Sequence, residues 1–150
     1  MRGLLVLAGS GEFTSAMEEV DQYILRSTGA KNVAIIPTAA GKEEDWGKWI
    51  EDGVRHFKKL GAKPFGINAI DRESANNQKN VAELERADFV YFSGGHPGYL
   101  FESLSESKLW DKVIENFKKG TVLAGSSAGA MILGKYVLGN AQEIARDSQD

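Results

Sequence analysis

The chain has 150 residues and a formal charge of −3, with 42% hydrophobic and 26% charged residues, which suits one domain large enough to bury a core. The absence of cysteine excludes disulfides, thiolate metal sites and a cysteine nucleophile. Interspersed charges, no basic leader and no run long enough to span a bilayer predict a cytoplasmic protein that engages neither nucleic acid nor membrane.

Gly3-Leu4-Leu5-Val6-Leu7-Ala8 is a continuous apolar run, predicted as a strand buried on both faces. The loop Gly9-Ser10-Gly11-Glu12-Phe13 follows. It lacks the third glycine of a dinucleotide-binding turn, because Thr14 stands there, so no cofactor is expected. Ser15-Ala16-Met17-Glu18 has the form of a capping box, and Met17, Val20 and Ile24 give a helical stripe that stops at Gly29. Asn32 to Ile36 is a second buried strand. Asp45 is the expected N-cap of a helix whose broad apolar face carries Trp46, Trp49, Ile50, Val54, Phe57 and Leu60. His56 in that helix is expected to be partly exposed.

Lys63 to Ile67 is a short third strand, and the stretch from Asn68 to Asn80 is polar. Val81 and Leu84 suggest a short helix. Asp88 to Phe92 is the fourth strand, running into the loop Ser93-Gly94-Gly95-His96-Pro97-Gly98. Pro97 suits the first turn of a helix with Tyr99, Leu100, Phe101 and Leu104. A further helix carries Leu109, Trp110, Val113, Ile114 and Phe117.

Thr121 to Ala124 is the last predicted strand. It turns through Gly125-Ser126-Ser127-Ala128-Gly129 into Met131, Ile132, Leu133, Val137 and Leu138, read as a mostly buried helix. A strand, G-x-S-x-G and a helix in succession form a nucleophile elbow, in which only small residues fit around the central serine. Ser127 stands at the apex, where the free N–H groups of a helix start favour negative charge. The alternation of strands and helices predicts an α/β fold: a doubly wound, mainly parallel sheet with helices on both faces, binding ligands beyond the carboxyl ends of its strands. The elbow and the Gly94-Gly95 loop both lie at that edge.

These stretches together resemble the serine peptidases that include dipeptidase E and cyanophycinase, related to the class I glutamine amidotransferases and hence flavodoxin-like in fold. The resemblance rests on Gly9-Ser10-Gly11-Glu12-Phe13, Tyr91-Phe92-Ser93-Gly94-Gly95 and Gly125-Ser126-Ser127-Ala128-Gly129-Ala130, and covers nearly the whole chain. It implies Ser127 as nucleophile and an oxyanion hole made of the Gly95 and Ala128 backbone N–H groups. It implies neither metal nor cofactor, and a small peptide substrate. The residues after Gly95 are His96-Pro97, where the family often carries a polar residue and then Gln or Asn.

A serine needs a base to act near neutral pH, and no histidine follows Ser127. In the family that it resembles, the histidine and the last part of the sheet follow the elbow, so by that resemblance the chain reads as a single amidotransferase-like domain lacking its C-terminal part. An apolar edge and self-association, such as a homodimer, are the expected consequences. His96 is a candidate base or substrate contact, or else a helix-entry residue. Glu143 is the candidate acidic member, or else part of a solvated acidic tail with Asp147. Two functions follow: a serine hydrolase cleaving a small peptide or isopeptide through an acyl-enzyme, or a catalytically incompetent member that binds a small molecule or a protein.

Overall fold

Parallel strands β1 (Leu5–Ala8), β2 (Asn32–Ile36), β3 (Lys63–Gly66), β4 (Phe89–Phe92) and β5 (Val122–Ser126) form one sheet in the spatial order β1-β5-β4-β2-β3. The computed structural model describes residues 3–137. Glu143, Asp147 and Leu138 lie outside the described residues.

The side-chain period of two sorts the strand residues between two cores. Val33, Ile35, Phe89, Tyr91, Val122 and Ala124 pack under α1 (Glu18–Thr28) and α2 (Gly47–Lys59). Ala34, Ile36, Val90, Phe92 and Leu123 face the other way, toward α3 (Arg72–Ala75), α4 (Gln78–Glu83), α5 (Pro97–Leu104), α6 (Lys108–Lys118) and α7 (Ala128–Met131). This is the expected α/β, flavodoxin-like class. From β1 the chain crosses to β2, steps out to β3, returns to the other side of β2 as β4 and continues to β5. Winding thus reverses between β2 and β4, where open sheets of this kind leave a crevice at the carboxyl edge. No helix among the described residues is long and apolar enough to cross a membrane.

Several local expectations differ from the structure. β1 is not buried on both faces. It pairs on one side only among the described residues, and Leu5 and Leu7 remain 43% and 60% exposed. Ser15–Met17 winds as a 3-10 turn and no capping box forms, because the loop before it is held by Thr14 Oγ1 donating to the Gly11 carbonyl at 2.6 Å. In α1 the inward face is Asp21, Ile24 and Leu25, with Val20 outward. Trp46, rather than Asp45, occupies the N-cap of α2, without a side-chain bond. The elbow helix α7 is one turn long, and Gly134 to Tyr136 turn away exposed.

The polar stretch after β3 holds α3 and α4, and it carries the capping box that the N-terminal segment lacks. The Asp71 carboxylate accepts from Ser74 N at 2.7 Å, while Ser74 Oγ accepts from Asp71 N at 3.0 Å. The Ser74 hydroxyl and N–H, with the Glu73 N–H, hold the Asp71 carboxyl below its ordinary value, and slight burial opposes them. Asp71→Ala should cost about 1 kcal/mol of stability in urea unfolding at neutral pH. Because the folded carboxyl titrates below the unfolded one, this contribution is complete above the unfolded pKa. It fades as pH falls through the folded value, so wild type and variant should converge in strong acid.

Candidate functional site

Pairing register brings the loops of the site to one place. Ala8 pairs with Ser126 and Phe92 pairs with Gly125, so β1, β5 and β4 end level with one another. Neighbouring strands lie about 5 Å apart, and the loops after β1 and β4 therefore flank the elbow after β5.

Ser127 has φ +51° and ψ −117°, a conformation that non-glycine residues adopt only under strain of roughly 1–3 kcal/mol. The strain is held from both sides. Ser127 N–H donates to the Ala8 carbonyl at 3.0 Å, and its own carbonyl accepts from Ala130 and Met131 N–H, each at 3.0 Å. Its neighbours Ser126 and Ala128 are buried, while Ser127 is exposed. The turn requires glycine at 125, since a Cβ there would lie 2.1 Å from the Gly129 carbonyl oxygen. Because α7 is a single turn, a helix macrodipole contributes little. The N–H of its first residue, Ala128, has no partner among the described residues and is the local donor.

The loop after β4 is equally constrained. Gly95 has φ +146°, and a Cβ there would come within 2.4 Å of the Ala39 carbonyl oxygen. That carbonyl accepts from His96 N–H at 2.8 Å, tying the loop to the 3-10 turn Thr38–Ala40 after β2. Gly94 N–H is taken by Glu12 Oε1 at 2.8 Å. Gly95 N–H has no partner among the described residues. A methyl group on Gly94 would stand 3.2 Å from Ser127 Cβ, so this loop and the elbow abut.

Ser127, Gly95, Ala128 and His96 are thus gathered at one edge of the sheet. His96 is the exposed N-cap of α5, directly before Pro97, and its side chain makes no capping bond. Glu143 falls outside the described residues.

Glu12 is the residue of the site to which the sequence assigned no role. One oxygen binds Gly94 N–H, and the other accepts from Ser126 Oγ at 2.7 Å, across 114 residues of sequence. A carboxylate in a glycine-rich loop directly after a strand was the available signal. His56 requires a correction: its Nε2 lies 2.7 Å from Asp21 Oδ2, with side chains 3% and 1% exposed. Gly53, His56 and Phe57 share the sheet-facing side of α2, as Asp21, Ile24 and Leu25 do on α1, so the two polar groups meet inside. Tyr91 lies beneath the site. Burial, then the nearby charges of Asp21 and Glu12, push its phenol far above the ordinary range, and it remains a neutral hydroxyl.

Comparison with known proteins points the same way. The model of peptidase family S51 matches residues 4–148. A solved peptidase structure from an acI-B1 Actinobacterium superposes with a TM-score of 0.85 at 38% identity, covering 91% of this chain and 59% of that one. An uncharacterized peptidase of Listeria innocua, Lin0382, is 30% identical over 102 residues, which are 68% of this chain and 47% of the relative. A cyanophycinase of Synechococcus elongatus is 25% identical over 141 residues, 91% of this chain and 43% of that protein. The chain spans about half the length of these curated relatives.

Proposed function

This chain belongs to peptidase family S51, and from that premise we propose that it carries the nucleophilic half of a serine peptidase acting on a small peptide or isopeptide. The observation that carries the reading is the strained, exposed Ser127 abutting the Gly94-Gly95 loop, whose Gly95 N–H has no partner among the described residues. Ser127 Oγ attacks the scissile carbonyl carbon as its proton passes to a base. The oxyanion of the tetrahedral intermediate accepts from Gly95 and Ala128 N–H, a contribution on the order of 3 kcal/mol per donor. Collapse expels the amine, which takes up a proton, and leaves an acyl-Ser127 ester. Water attacks the ester, releasing the acid and restoring the hydroxyl.

A fluorophosphonate followed by peptide mapping tests the reading directly. The adduct should sit on Ser127. An adduct on Ser93 or Ser126, or hydrolysis of dipeptides and isopeptides with no adduct at all, would remove the elbow from the mechanism.

Of the two histidines, His56 is engaged by Asp21, which leaves His96 at the carboxyl edge. Its place at the start of α5, with the fixed φ of Pro97 next to it, favours a helix-entry role over that of the base. His96→Ala should accordingly change kcat/KM by less than about threefold across pH 5 to 9. A positioned general base contributes about 100-fold or more, so a loss of that size would make His96 the base.

A further inference from the structure

We propose that Glu12 is a positioning residue of this site: its carboxylate clamps the Gly94-Gly95 loop to the elbow strand and so leaves the Gly95 N–H as the oxyanion donor. The inference rests on the reading of Ser127 as nucleophile. The clamp has two jaws. Oε1 accepts from Gly94 N–H at 2.8 Å, and Oε2 accepts from the buried Ser126 hydroxyl at 2.7 Å. Both are charge-assisted bonds, stronger than neutral ones, and they join the loop after β4 to the residue directly before Ser127. With the Gly94 N–H engaged, the next N–H in the loop is Gly95, which has no partner among the described residues. Engagement of Ser126 Oγ also withdraws that hydroxyl from competition with Ser127.

The clamp is itself anchored. Phe13, in a left-handed conformation at φ +64°, packs its ring against Tyr91, His56 and Phe57 at centroid distances of 5.0, 6.1 and 6.2 Å. Glu12 is therefore held between a tight turn at Gly11 and an aromatic plug. The fit between carboxylate and loop is close, since a Cβ on Gly94 would fall 2.8 Å from Oε1.

The test compares wild type, Glu12→Ala and Glu12→Gln in the rate of fluorophosphonate labelling at Ser127 and in hydrogen exchange of the Gly94 amide. Glu12→Ala should slow labelling about 100-fold, as expected when an oxyanion donor is misplaced, and should speed Gly94 exchange at least about tenfold. Glutamine keeps an acceptor for Gly94 N–H and offers a donor to Ser126 Oγ. It should therefore hold both readouts within about tenfold of wild type, a rescue that mere filling of space would not give. Labelling of Glu12→Ala within about twofold of wild type would overturn the proposal. If wild type is not labelled, the Ser127 reading fails and exchange decides for Glu12: faster in alanine but not in glutamine upholds the clamp, and no change overturns it.

Discussion

Ser127→Ala is expected to abolish fluorophosphonate labelling and, in a form whose base serves Ser127, to lower peptide hydrolysis by at least about 1,000-fold, to the level left by binding and the proposed oxyanion donors. The magnitude follows from the role: no other group at the elbow offers an exposed hydroxyl, because Ser126 Oγ is buried and donates to Glu12. The stability response should run the opposite way. Ser127 holds φ +51° through bonds to Ala8, Ala130 and Met131, and this conformation costs a β-carbon residue energy that glycine does not bear. Ser127→Gly should thus be inactive but about 1 kcal/mol more stable than Ser127→Ala in urea unfolding. Equal stability of the two variants would mean that the turn is not strained. Residual labelling in either would move the nucleophile elsewhere.

The second large effect is expected far from the chemistry. Asp21→Ala should destabilise the fold by about 3 kcal/mol, or roughly 10 °C in Tm, because it strips a buried imidazole of its partner. His56 Nε2 sits 2.7 Å from Asp21 Oδ2, and the other carboxylate oxygen, Oδ1, has no hydrogen-bond partner among the described residues. Each group therefore depends on the other. A double-mutant cycle with His56→Ala should return a coupling of about 2 kcal/mol, and additive losses would show the contact to be incidental. Phe13 packs on the same imidazole, 6.1 Å between ring centres, so Asp21→Ala should also loosen the loop that carries Glu12. Accelerated hydrogen exchange from Gly9 to Phe13 would register that coupling.

What could be read without coordinates was local. The elbow announced itself because a tight strand-to-helix turn admits only small residues around Ser127, and Gly125 meets that demand within a few residues of chain. The strands at Asn32, Asp88 and Thr121 showed as apolar runs. The glycine pair at 94 and 95 marked a loop at the carboxyl edge of the sheet, and the structure gives Gly95 φ +146° there. Where such signals misled, a nearby competitor prevailed: Thr14 bonded the Gly11 carbonyl, and no capping box formed at Ser15. In the stretch after β3, read from the sequence only as polar, the Asp71–Ser74 box starts a helix.

By itself, then, the sequence determined an α/β chain with an elbow serine, since hydrophobic period, turn sterics and glycine positions act over a few residues. The tertiary structure alone decided that β1 is an edge strand among the described residues, with Leu7 outward, since edge position depends on which strands pair. It alone put β4 beside β5, Glu12 between Gly94 and Ser126, and Asp21 against His56. Those partners are separated by 82, 114 and 35 residues. A polar side chain on an otherwise apolar helix face carries no mark of what it will meet. Its partner is selected by the packing of elements, and only when the sheet has assembled does a carboxylate find the N–H and hydroxyl that make its burial tolerable.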